Sequence, residues 1–319
     1  MPLVLRREEV EALLDLPKAI ELTESAFTEQ AKGQVVPHAP YHISMGGSKA
    51  LRVVSGALLG SQRAAIRLGP NSELGGDRMH AVLYDTESGD LLSLMAYPFG
   101  TLRTAAHVAV AAKHMAREDA QRVGLFGVGR NALGLLKAIA SIRKIKAVSV
   151  SSRDAQRRKN FCAEASQLLS LEVRPVDSPE SAVRGMDVVF TATNSLTPIF
   201  PEGWVSPGTH VSSMGKPTEI SRGLLLKANR IVAGSREHER NYHDRSAPIP
   251  LLELITEGKL SWTDVHELGD LVTGRVSGRN DHEEINLFRE SQGGFGDVAF
   301  AACVYEEAVR RGLGKKVEL

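Results

Sequence analysis

The chain has 319 residues, more than one hydrophobic core usually supports, so its length predicts two domains and excludes a disulfide-stapled mini-protein. Hydrophobic residues make up 42% and charged residues 24%, the balance of a folded globular chain rather than a disordered one. Thirty-nine basic residues against 38 acidic ones leave a formal charge of +1, without the positive surplus that a phosphate backbone demands, so no nucleic-acid partner is expected.

Residues 4–33 place Val10, Leu13, Leu14, Ile20, Leu22 and Phe27 at helical spacing, interrupted at Pro17. The first residues include Arg6, Arg7, Glu8 and Glu9 where a secretion signal would be apolar, and apolar stretches such as 107–112 end well short of the roughly 18 residues of a membrane span. Cys162 and Cys303 have no ligand-like spacing and read as reduced core thiols. A soluble, cytoplasmic protein with no membrane partner is expected.

Residues 50–97 break into short runs, LRVVSG, AAIRLG, HAVLYD and LLSLMAY, separated by Gly, Asn, Ser and Asp. They predict an antiparallel meander with one turn at Glu87-Ser88-Gly89. The alanine-rich segment 104–117 predicts a helix leading away from that sheet. From about residue 121 apolar strands alternate with helices, the pattern of a parallel sheet covered on both faces. Strands are expected at 123–126, 147–151, 171–175, 188–191, 210–213 and 230–233, and helices at 131–142, 154–169, 178–185 and 221–228. A last helix, 296–311, falls outside this block and is expected to return to the first domain.

At the first strand-to-helix junction the chain reads VGLFGVGRNALGLL. Gly127, Gly129 and Ala132 fill the G-x-G-x-x-G/A pattern: a tight turn, room for a pyrophosphate, and a small residue for close helix packing. The turn Gly127-Val128-Gly129-Arg130-Asn131-Ala132 is therefore the expected diphosphate site, aided by the free amides and partial positive charge of the helix it opens. The fold class that follows is α/β: a Rossmann doubly wound parallel sheet over 118–291, plus a second α+β domain made of 1–117 and 292–319.

A carboxylate at the end of the second strand accepts hydrogen bonds from a ribose 2′-hydroxyl and repels a 2′-phosphate. Here Ser151, Ser152 and Arg153 stand at that end and offer hydroxyls and a guanidinium, which favours NADP(H), with NAD(H) as the alternative; Arg153 could instead be a solvated loop residue, with Asp154 capping the next helix. Thr191, Ala192 and Thr193, ending the fourth strand, are placed to line the crevice at the carboxyl ends of the strands, although they could equally be ordinary strand-end caps.

TLRTAAHVAVAAKHMAREDA, the turn GVGRNA, TATNSLTPIF, GTHVSSMG followed by TEI, and GDVAFAACVYEEAVRRGLG occur in the order seen in the ornithine cyclodeaminase/μ-crystallin family, which the chain resembles from about residue 40 to its end. The resemblance implies a first domain that binds substrate and forms a homodimer, a coenzyme-binding Rossmann domain, and hydride transfer between nicotinamide and a carbon–nitrogen centre. By position, Arg103 is expected to bind the substrate carboxylate, with Arg52 as a second such arginine, and Thr104 to lie beside the coenzyme. Met214 and Gly215 are expected to border the nicotinamide, and Asp297 to face the site from the last helix.

Two departures from the family bear on mechanism. Arg67 stands in AAIRLGPN where the family commonly has lysine, and arginine can orient an anion but cannot shuttle a proton. The aspartate of the cyclodeaminase loop G-D-x-P-G-K-x-E-L has no counterpart in GTHVSSMGKPTEI. Cyclodeamination needs acid–base steps that these losses impair, whereas reducing an already protonated imine needs an oriented hydride and an anchored carboxylate. The expected activity is therefore an NAD(P)H-dependent reductase of small 2-imino acids or cyclic ketimines. The alternatives are a cyclodeaminase in which Glu219 or Asp297 replaces the missing carboxylate, and a non-catalytic NADPH-binding protein.

No metal site is expected. His238, His243, His266 and His282 match no zinc template and read as solvated surface. His80 reads as a packing residue, and the run from Arg236 to Arg240 as an exposed, self-neutralising face.

Overall fold

The structure, a computed structural model, describes residues 1–47, 49–71, 78–242, 247–291 and 293–318. The chain forms two compact units, one of Met1–Arg103, Glu237–His243 and Gln292–Leu319, the other of Thr104–Arg236 and Asp244–Ser291.

The chain begins with β1 (Leu3–Leu5), α1 (Arg7–Glu11) and α2 (Leu16–Ala31), then β2 (Val35–Pro37), β3 (Tyr41–Ser44), β4 (Ala50–Leu58), β5 (Arg63–Pro70), β6 (His80–Asp85) and β7 (Leu91–Ala96). Helix α3 (Gly100–Met115) carries the chain into the second unit. In the first unit β4, β5, β6 and β7 pair antiparallel in sequence order, the meander that the short apolar runs predict, with Asp85 accepting from the amides of Glu87 and Ser88 at one turn. The N-terminus departs from a single interrupted helix. Val4 lies in β1, paired parallel with β7, and Pro17 opens α2, where a missing N–H costs nothing and Asp15 caps the turn by accepting from the Lys18 amide at 2.9 Å.

Period-2 alternation sorts the sheet's two faces. On β5, Ala65 and Arg67 are buried while Ile66 and Leu68 are exposed. His80, paired with Leu68, is exposed as well, so it does not pack in a core as its sequence context suggests.

The second unit runs β8 (Arg122–Phe126), α4 (Ala132–Ile142), β9 (Ala147–Ser151), α5 (Ala155–Leu169), β10 (Glu172–Pro175), β11 (Val188–Thr191), β12 (His210–Ser213), α6 (Arg222–Lys227) and β13 (Arg230–Ala233). Then come α7 (Arg236–Arg240), which from Glu237 on belongs to the first unit, and, again in the second, α8 (Pro250–Thr256), β14 (Val265–Glu267), α9 (Leu268–Val272) and β15 (Asn286–Arg289), before α10 (Phe295–Arg311) returns to the first unit. Its strands form one all-parallel sheet in the order β10-β9-β8-β11-β12-β15-β13-β14. The strand order reverses direction at β8, whose neighbours are β9 and β11, the switch point where open α/β sheets bind ligands.

The helix expected at 178–185 is a short 3-10 turn, Pro179–Ala182, ended by Gly185 at φ +67°. The 236–240 run is not an exposed face: His238 and Glu239 on α7 are buried, and His238 stacks on Tyr242. His266 is half-buried, His282 is exposed, and His243 lies outside the described residues. Cys162 and Cys303 are both free and buried. No helix is long and apolar enough to cross a membrane, and no group of three metal-ligating side chains occurs, among the described residues.

The last turn of α3 is closed by a side chain from beyond α4. Arg143 donates to the carbonyls of Ala112, Lys113, Ala116 and Arg117 at 2.9–3.2 Å, satisfying the acceptors a helix end leaves open and placing a cation at its negative pole. Substituting Arg143→Ala is expected to lower unfolding stability by about 1.5–3 kcal/mol, the range for hydrogen bonds to charged groups. Urea denaturation checks this, and an unchanged midpoint would contradict it.

Candidate functional site

The second unit places its candidate residues at the carboxyl ends of β8, β9, β11 and β12. Gly127 donates its amide to Ser151 O at 3.0 Å and takes φ +94°, and a Cβ there would come 2.6 Å from Ala192 O, so only glycine fits. At Gly129 an added Cβ would meet nothing within 4 Å, which leaves open space against the backbone where the chain turns into α4. Ala132 begins α4 fully buried, as close helix packing requires. Val128 and Asn131 are half-buried, and Arg130 is exposed.

At the end of β9 the carboxylate that could meet a ribose is engaged elsewhere. Asp154 caps α5 by accepting from the Arg157 amide at 2.9 Å, which leaves Ser152 and the exposed Arg153 at the strand end. Arg158, which the sequence pattern did not single out, anchors this loop by donating to Ser152 O at 2.6 Å and to Asp177 at 2.9 Å.

Thr191 is buried, the Ala192 amide donates to Phe126 O at 2.9 Å, and the Met214 amide donates to Thr191 O at 3.0 Å. Gly127, Thr191, Ala192, Thr193, Met214 and Gly215 are thus brought to one strand-end region. Thr104 lies buried in the first turns of α3.

The first unit gathers a different set. Register pairs Val54 with Arg67 and Arg52 with Gly69, so Arg52 and Arg67 share the inner face of the β4–β5 ladder. A Cβ on Gly56 would lie 2.7 Å from Phe295 N, so the missing side chain lets the start of α10 rest on β4. Phe295 packs edge-on against Phe27 at 5.3 Å, fixing the helix from its other side. This docking sets Asp297 against Arg67, and the start of α3 contributes Arg103.

Arg67 Nε donates to Asp297 Oδ2 at 2.9 Å, Arg103 Nη1 donates to both Asp297 oxygens at 2.9 Å, and Tyr97 OH donates to Oδ1 at 2.8 Å. The arginine side chains are 4% and 6% exposed and the aspartate 3%. Tyr97 also stacks beneath the Arg67 guanidinium, 5.6 Å from the ring centre. Burial alone would raise the Asp297 carboxyl, but the Arg103 and Arg67 charges and the Tyr97 hydroxyl outweigh it and hold it well below the usual carboxylate range. Burial and the same carboxylate push the Tyr97 phenol well up. Two buried cations therefore share one anion, and Arg67 Nη2 has no hydrogen-bond partner among the described residues.

The doubly wound parallel sheet and the glycine turn at its switch point place the second unit in the Rossmann class. Residues 1–312 match the model of the ornithine cyclodeaminase/mu-crystallin family, and the chain belongs to that family. It is 30% identical over 256 residues to the Delta(1)-pyrroline-2-carboxylate reductase of Bacillus cereus, the match covering 78% of this chain and 77% of that one. Among solved structures it is similar to the Delta(1)-pyrroline-2-carboxylate reductase of Thermococcus litoralis in complex with NADH and L-proline, at TM-score 0.88 and 27% identity over 99% of this chain and 100% of that one. An archaeal alanine dehydrogenase dimer with bound NAD is similar at TM-score 0.86 and 27% identity, with 99% of each chain covered.

Asp297→Asn takes from Arg67 and Arg103 the buried carboxylate to which both donate, and is expected to cost about 3–5 kcal/mol of stability at neutral pH. Because folding depresses the Asp297 pKa, its contribution is complete above the unfolded value of about 3.9 and is lost as pH falls toward the lower folded value. The gap between the unaltered chain and the variant, followed by urea denaturation, should narrow below about pH 4. A gap that is absent, or constant from neutral pH into acid, would contradict the pairing.

Proposed function

We propose that the protein is an NAD(P)H-dependent reductase of small 2-imino acids or cyclic ketimines, running reversibly toward the amino acid. The observation that carries this is the buried cluster in which Arg67 and Arg103 share the single carboxylate of Asp297. Its guanidiniums, and the Arg67 Nη2 that has no hydrogen-bond partner among the described residues, suit a substrate carboxylate, with Arg52 on the same sheet face as a further contact.

The second unit fits a dinucleotide. Gly127 makes the turn, the space at Gly129 suits a diphosphate, and the amides opening α4 suit its charge. Val128, Arg130, Asn131 and Ala132 would complete the diphosphate contacts, while Thr104, Thr191, Ala192, Thr193, Met214 and Gly215 would line the rest of the coenzyme. When bound, the reduced nicotinamide supplies hydride to the imine carbon.

Ser152 and Arg153 favour NADP(H), while the Asp154 cap and the exposure of Arg153 also suit a plain solvated loop, and NAD(H) is the coenzyme of the similar structures. Asp297 is held ionised by two guanidiniums and so supplies no proton at neutral pH, and Arg67 stands where the family commonly has a lysine. That supports a substrate that arrives as an iminium over a cyclodeaminating one. The exposed face of the first sheet carries Tyr41, Ile43, Ile66, Leu68 and Tyr84, an apolar surface that suits a second copy of this chain and a homodimer.

Assay of NADPH oxidation with Δ1-pyrroline-2-carboxylate or its six-membered homologue tests the proposal. Turnover is expected, faster with NADPH than NADH, with Arg153→Ala narrowing that preference. Arg103→Ala should lower kcat/KM by about 10- to 150-fold, the equivalent of one charge-assisted hydrogen bond. Tight NADPH binding without turnover of any imine would favour the non-catalytic alternative, and ornithine converted to proline with release of ammonia would favour the cyclodeaminase.

A further inference from the structure

Beyond β11 and β12 the chain enters two loops, 192–199 and 214–220, that are stitched together through Glu219. Its Oε1 accepts the Thr193 amide at 2.6 Å, its backbone carbonyl accepts the Ile199 amide at 3.1 Å, and Thr218 Oγ1 donates to Ser195 O at 2.6 Å. Gly215 leaves the space this bond needs, since a Cβ there would collide with Glu219 Oε1 and with Thr193 O. Glu219 is 1% exposed, and its Oε2 is buried without a geometric hydrogen-bond partner among the described residues.

We propose that Glu219 is a positioning residue for the nicotinamide end of the coenzyme, fixing the Thr193 amide and the Gly215 backbone as one rigid wall. The inference rests on the functional reading above, which assigns Thr193 and Gly215 to the coenzyme. The bond needs an acceptor at Oε1 and no negative charge. Burial pushes the Glu219 carboxyl up, against the opposing pull of Thr193, Thr191 and Arg289, which is consistent with that requirement.

The test measures NADPH binding by calorimetry and the fluorescence anisotropy of the bound dihydronicotinamide, with thermal unfolding as a check on folding. In Glu219→Ala the diphosphate contacts remain, so NADPH should still bind within about threefold, while the ring signal falls toward that of free NADPH and imine kcat drops about 10- to 100-fold with KM little changed. Glu219→Gln keeps the acceptor and should restore both ring signal and kcat. Gly215→Ala displaces the carboxyl oxygen and should behave as Glu219→Ala, which keeps the test open should that variant fail to fold.

An unchanged ring signal in Glu219→Ala, or a Glu219→Gln as impaired as the alanine variant, would overturn the inference alone. Failure of the unaltered chain to bind either NADPH or NADH would overturn the functional reading and the inference with it.

Discussion

One carboxylate between two buried guanidiniums is the constraint around which the first unit is built. Asp297 meets Arg67 from β5, Arg103 from the start of α3 and the Tyr97 hydroxyl from the end of β7, all within 2.9 Å. Burying two cations is tolerable only with an anion and good geometry, and the geometry comes from apolar packing of α10 on the sheet through Phe27, Phe295 and the missing side chain of Gly56. Both guanidiniums sit in a low-dielectric setting, where a charge interaction is stronger than at an exposed surface. On the proposed function, stability and substrate recognition would draw on the same four side chains.

On the proposed function the second unit would solve a different problem, holding a large anionic ligand with backbone. A parallel sheet points every carboxyl end the same way, so the loops after β8, β9, β11 and β12 lie together without long connections. Main-chain bonds between those ends, Gly127 to Ser151, Ala192 to Phe126 and Met214 to Thr191, fix the loops before any ligand arrives. Preorganisation of this kind lowers the ordering cost of binding.

Local patterns made much of this legible. The glycine turn, the strands of the alternating block and the antiparallel meander follow from short-range periodicity and turn chemistry, and the structure has them within a residue or two. What depends on distant partners was harder to see. Arg67 and Asp297 are 230 positions apart, and nothing in either neighbourhood announces that they pair. Likewise Pro17 is compatible with breaking a helix or starting one, and Asp15 as a cap is what decides for a start. The mixed charges of 236–240 resemble a solvated face, yet His238 and Glu239 are buried. Burial of a short helix is set by the elements around it, which its own composition does not report. Strands β14 and β15 were missed for a related reason, since each is only a few residues long and draws its strand character from neighbours in the sheet.

The claim on which the functional account turns is that this guanidinium cluster receives a carboxylate. Titrating the protein, in the presence of NADPH, with pyrrole-2-carboxylate and with pyrrole-2-carboxamide isolates that charge while keeping ring and size constant. The account predicts that the carboxylate binds, that the carboxamide binds at least about tenfold more weakly, and that Arg67→Ala removes most of the difference. Equal binding of the two compounds, or discrimination that survives loss of Arg67, would contradict it.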